Sequence, residues 1–128
     1  MPRVGAEWHT RRMVTDAERQ AADAARARLE RLAAPFLARP GVTWGRMFST
    51  DGLGIRGKIF AVVPHDGGLM AKVPEARADE LEAAGAAQRM VMRGRVMREW
   101  VVVPDAAGDD AWIALLEDAY VYLDEITP

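Results

Sequence analysis

Between Val42 and Val73 the chain carries four short β-branched or aromatic runs, and this segment restricts the possible folds more than any other. The runs are Val42 to Phe48, Leu53 to Arg56, Lys58 to Val63 and Leu69 to Val73. Turn residues separate them: Asp51-Gly52, Gly57, and Pro64-His65-Asp66-Gly67-Gly68. Regular short spacing of this kind predicts an antiparallel meander. Strand side chains alternate, so Ile59, Ala61 and Val63 are expected on one face and Phe60 and Val62 on the other. Both sets are apolar, which predicts a sheet covered on both sides.

Helical periods flank the meander. Thr15-Asp16-Ala17-Glu18 matches the T-x-x-E capping box, in which a hydroxyl and a carboxylate satisfy orphan amides at a helix start. Ala21, Ala25, Leu29, Leu32 and Phe36 then recur at spacings of three and four, the stripe of an amphipathic helix. Pro35 is expected either to kink this helix or to begin a separate last turn, and Pro40-Gly41 to end it. Pro74 opens a second helix with Glu75, Asp79, Glu80 and Glu82 near its positive end and Gly85 as its stop. Arg89 to Val91 and Met97 to Val103 read as two further strands joined through Arg93-Gly94-Arg95. Asp109 or Asp110 caps a last helix with the stripe Trp112, Leu116, Ala119, Leu123 and Ile126. The order α-β-β-β-β-α-β-β-α defines an α+β fold with an antiparallel sheet and flanking helices, not a parallel doubly wound one.

With 128 residues the chain is expected to form one domain, residues 1–128, with residues 1–14 as a flexible arm that has little to bury. Met1 to Arg12 is interrupted by Arg3, Glu7, His9, Arg11 and Arg12, so no signal-peptide core is read there. No window approaches the ~20 apolar residues of a membrane span. A cytoplasmic location without membrane association is the expectation. Cysteine is absent, which excludes disulfides and thiol chemistry.

The net charge of −2 conceals a strong segregation. Residues 1–103 hold 17 basic and 12 acidic side chains, whereas residues 104–128 hold seven acidic ones and no basic one. Lys58 and Lys72 are the only lysines. Arginine suits bidentate phosphate recognition, although the codon bias of a GC-rich genome yields the same preference.

With this order in view, a set of short motifs resembles the TfoX N-terminal-type domain. They are Met47-Phe48, Gly52-Leu53-Gly54-Ile55, Gly57-Lys58-Ile59-Phe60-Ala61, Leu69-Met70-Ala71-Lys72 and Met97-Arg98-Glu99-Trp100, with the Trp112 to Tyr122 helix after them. The resemblance covers roughly residues 44–123 and extends to YjbR/MmcQ-like domains. It implies an α+β shape described as a double-wing DNA-binding fold and a role in binding and regulation rather than catalysis. TfoX/Sxy proteins regulate natural competence, and their full-length members carry a second, C-terminal helical domain for which 128 residues leave no room. Met97-Arg98-Glu99-Trp100 also departs from the M-x-Y form of those regulators. The expectation is a stand-alone domain with DNA as the implied partner. The alternative is a homodimer or a protein-interaction module without nucleic-acid binding.

Arg89, Arg93, Arg95 and Arg98 place four positive charges in ten residues around Gly94. Mobile positive charge with backbone freedom nearby is what phosphate contacts need, so these four are the candidate nucleic-acid-binding residues. The competing reading pairs them with the acidic final helix, and Glu99 beside Arg98 points to an internal pair. Trp44 and Trp100 are expected in the core, base stacking being the alternative. Met47, Met70, Met90, Met92 and Met97 either fill gaps between sheet and helices or line an adaptable groove.

No catalytic constellation emerges. Gly52-x-Gly54 lacks the third glycine, the helix and the downstream acid of a dinucleotide site. His9 and His65 are the only histidines, and neither has a neighbouring ligand. Ser49, Thr50 and Asp51 are adjacent and point apart, unlike a triad. Neither an enzyme nor a metal or cofactor is expected.

Overall fold

The computed structural model describes residues 15–47 and 49–128. The expected arm, residues 1–14, lies outside them. Helix α1 (Asp16–Leu37) starts where the capping box places it: the Glu18 N–H donates to Thr15 Oγ1 and the Thr15 N–H to Glu18 Oε1, both at 3.0 Å. One helix runs through Pro35 to Leu37. Strands β1 (Val42–Met47), β2 (Thr50–Ile55), β3 (Lys58–Val62) and β4 (Leu69–Lys72) follow. Helix α2 (Glu75–Ala83), strands β5 (Gln88–Met92) and β6 (Arg95–Val103) and helix α3 (Asp109–Ile126) complete the order. The chain therefore has the expected α+β order, with a six-stranded antiparallel sheet arranged β1-β2-β3-β4-β6-β5.

The β1–β2 turn is not where the sequence suggests. Met47 pairs with Thr50 across a turn through Ser49, whose φ is +64°, and Asp51-Gly52 lies inside β2. Gly52 faces Gly45 across the pair because Ile59 crosses over both. A Cβ on Gly45 or Gly52 would come within 2.9 or 2.8 Å of that side chain. The β5–β6 turn does match its sequence. Arg93 (φ +54°) and Gly94 (φ +76°) form a two-residue loop with both residues left-handed, the twist that suits a tight hairpin.

The alternation expected along β3 is also broken. Leu53 pairs with Ala61 but Gly54 with Ile59, so Phe60 is an extra, bulged residue. The bulge turns Phe60 to the same side as Ala61, onto the Tyr120 ring of α3 at 6.2 Å, edge to face. Ile59 joins Val62 on the opposite side, over Gly52.

The main core lies between the sheet and α1 and α3. It joins Leu29 and Phe36 of α1, Leu53, Phe60, Leu69 and Val101 of the sheet, and Trp112, Leu116 and Leu123 of α3. Trp112 is fully buried, with its indole N–H donating to the Pro104 carbonyl at 3.3 Å. Trp44 is a correction to the sequence reading: on edge strand β1 it is 37% exposed. Ile126 also leaves the expected α3 stripe and is exposed, while Leu115 is buried.

The other face of the sheet is covered mainly by the sheet itself. Strands β1 and β5 are its two edges, about 24 Å apart in a flat six-stranded sheet. Yet Met47 of β1 and Met90 and Met92 of β5 line one cavity of about 10 Å³ with Met70, Met97 and Trp100. The sheet must curl for its edges to meet this way. An irregularity supplies the bend in the β5–β6 hairpin: Arg89 pairs with Val101, but Val91 pairs with Val96. Both faces are thus apolar and covered, as expected, one by helices and one by the sheet's own methionines. Trp100 is half-buried among them rather than under the helices.

Candidate functional site

The acidic final segment and the arginines find each other, but not the arginines the sequence nominates. Asp109 accepts from Arg28 Nε at 2.8 Å and from Arg31 Nη1 at 3.0 Å, and these guanidiniums hold its carboxyl below the usual carboxylate range, Arg31 foremost. Glu117 binds both terminal nitrogens of Arg39, which raises the Arg39 pKa and leaves the guanidinium over the rings of Phe36 and Tyr120. Arg77 of α2 reaches Asp118 at 2.9 Å, and Arg56 reaches Asp124 at 2.9 Å and the Thr127 carbonyl at 2.8 Å. Four of the six α3 carboxylates are therefore partnered by α1, α2 and two loops. None of the four candidate arginines takes part.

Those four separate into two groups. The Arg89 side chain is only 13% exposed and is held by carboxylates of α2, Asp79 at 2.7 Å and Glu82 at 3.1 Å, and by the Glu75 carbonyl. It fastens α2 to β5. Arg93, Arg95 and Arg98 lie exposed on the β5–β6 hairpin and make no ion pair among the described residues. All nine other described arginines do make one. Glu99 does not neutralise Arg98; it accepts a 2.5 Å hydrogen bond from Tyr122 Oη, with Lys72 Nζ at 3.8 Å.

Where the curled sheet opens, the same hairpin borders a cleft of about 800 Å³. Its apolar lining comes from Val62, Met70, Met90 and Met92, its charged lining from Arg26, Arg46, Arg93 and Asp51, and His65 adds an imidazole. Ser49 and Thr50 add hydroxyls. Arg46 donates to the Ser49 carbonyl at 3.0 Å, but its carboxylate partner Asp51 is 3.4 Å away and its side chain is 68% exposed. The methionine signal was legible in the sequence: five methionines line the small cavity inside the curl, and three of them, Met70, Met90 and Met92, also line this cleft. The involvement of Arg26 and Arg46 was not, since they come from α1 and β1 and lie far in sequence from Arg93.

Among the described residues no group of three or more His, Asp or Glu side chains is placed to hold a metal ion. Among them, no helix is long and apolar enough to cross a membrane.

A curled antiparallel sheet backed by helices on one face, with an arginine hairpin folding over the other, defines a small α+β domain of the kind the motifs suggested. The family model of the TfoX N-terminal domain matches residues 34–119, and the chain belongs to that family. No curated protein and no solved structure matches the chain.

Proposed function

We propose that the chain is a regulatory binding domain that contacts nucleic acid, with DNA as partner, through the β5–β6 hairpin. One observation carries this reading: the three described arginines without an ion pair are neighbours on one exposed hairpin. A guanidinium already bound to a carboxylate must surrender that partner to take a phosphate. Arg93, Arg95 and Arg98 surrender none. Contacts of this kind fix position on the phosphate backbone and carry no sequence information, so binding is weak and sequence-tolerant. The deciding measurement is a titration of labelled duplex at several salt concentrations. Each contacted phosphate adds ~0.9 to the slope of log affinity against log salt. Replacing Arg93, Arg95 and Arg98 by glutamine lowers affinity equally for unrelated sequences and flattens that slope. Absence of binding at ~0.1 mM protein, beyond the usual nonspecific range, would refute the reading.

A different observation favours self-association. Val91 and Val96 are cross-strand partners, 57% and 59% exposed, beside the free edge of β5. Exposed apolar pairs at a sheet edge invite a second copy. Sedimentation that stays monomeric to millimolar concentration, with or without Val91→Lys, would remove this reading.

A further inference from the structure

We infer that the cleft at the mouth of the curled sheet is a binding site for a small organic anion with an apolar body. Arg46 and Arg93 hold the head group, and the body lies on Val62, Met70, Met90 and Met92. The site does not depend on nucleic-acid binding. Its volume of about 800 Å³ falls in the ~300–1,000 Å³ range of small-ligand pockets. Its floor and rim follow the usual division of such sites, apolar below with few polar groups above. Thioethers make that floor adaptable, because methionine is unbranched and polarisable and fits bodies of different shape.

Charge selects the head group. Three guanidiniums from separate elements, Arg26 on α1, Arg46 on β1 and Arg93 at the hairpin turn, face the cleft, against the single carboxylate of Asp51. Firmly held arginines such as Arg28, Arg39 and Arg89 lie elsewhere, each with two or more short bonds. At the cleft the hold is uneven: Arg26 is paired with Asp23, whereas Arg46 and Arg93 are exposed and have a weak carboxylate partner or none among the described residues. Arg46 donates to the Ser49 carbonyl at 3.0 Å but has only a long 3.4 Å contact to a carboxylate, and Arg93 has no ion pair among the described residues. A carboxylate or phosphate head gains charge-assisted hydrogen bonds there at little cost in lost partners. A neutral or cationic head gains none.

The test uses the full chain and four eight-carbon probes: octanoate, octyl phosphate, octan-1-ol and octylammonium. Calorimetry measures affinity, and NMR of methyl-labelled methionine reports location. At least one anion binds saturably and about tenfold or more tighter than octan-1-ol, the least expected of charge-assisted contacts. The Met70, Met90 and Met92 methyl signals move with occupancy. R46Q/R93Q reduces anion affinity to that of the alcohol, and both side chains are exposed, so folding is retained. R95Q/R98Q, whose residues do not line the cleft, leaves anion affinity unchanged while weakening any duplex binding, so the two readings fail separately. The site is overturned if no probe binds saturably up to about 3 mM, well above the affinity of ordinary ligand sites. It is equally overturned if the alcohol binds as tightly as the anions, or if R95Q/R98Q matters as much as R46Q/R93Q.

Discussion

Tyr122 of α3 donates its phenolic hydrogen to Glu99 of β6 across 2.5 Å, joining the final helix to the strand that carries the hairpin. This bond, followed by burial and then the negative charge of Glu99, pushes the Tyr122 pKa up to about 12 from an ordinary 10.0. It also explains why Glu99 does not answer Arg98: its carboxylate is already engaged on the helical side of the sheet.

Because the folded pKa is the higher one, the neutral phenol stabilises the fold fully below pH 10 and loses that contribution as pH rises towards about 12. Ultraviolet titration of the folded chain is expected to reveal one late tyrosine. Tyr122→Phe removes both that late transition and the alkaline part of the stability loss. A variant that still loses the same stability between these pH values would show that the bond is not responsible.

Asp109 carries the opposite sign. Its carboxyl lies below the ordinary 3.8 because Arg31 and Arg28 favour its charged form. Its contribution is complete above 3.8 and disappears as pH falls through the lowered value. Asp109→Asn is therefore expected to be less stable than the parent in urea at neutral pH and to match it near pH 2. A gap of constant size across that range would contradict the linkage.

Arg89 separates structure from binding. Arg89→Gln removes bonds to Asp79, Glu82 and the Glu75 carbonyl, and is expected to cost ~1–3 kcal/mol of stability. Duplex affinity of the folded variant remains that of the parent. If affinity falls as far as it does for R93Q/R95Q/R98Q, the division of the four arginines is wrong.

The tryptophans are ranked by burial. Trp112→Ala is expected to cost ~3–5 kcal/mol, since the ring is fully enclosed under Arg28, whose guanidinium carbon is 4.1 Å from the ring centroid. Trp44→Ala should cost only ~1–2 kcal/mol, because more than a third of the residue already meets water. Equal costs in urea denaturation would overturn this assignment.

Gly54 tests the bulge. A Cβ there would lie 2.7 Å from the Lys58 carbonyl oxygen, a backbone atom that cannot swing aside. Gly54→Ala should lose ~1–3 kcal/mol, as overpacked sites do. A neutral result would mean that β2 and β3 are more loosely joined than their register implies.

The sequence by itself determined the elements, their order and the family. The capping box at Thr15, the left-handed Arg93-Gly94 turn and the α1 and α3 stripes each depend on residues within a few positions of one another. Such signals survive without a partner. The tertiary structure decided the rest. The bulge at Phe60 follows from its pairing across the sheet, and it reverses the alternation read along β3. Trp44 is exposed because β1 is an edge, which no run of neighbours can announce. The acidic tail is partnered by Arg28, Arg39 and Arg56 from 68 to 81 positions upstream, so its charge says nothing about the hairpin beside it. The cleft arises only when the sheet curls and brings its two edges over one cluster of methionines. That closure depends on contacts between distant strands, and a linear pattern cannot encode where such strands meet.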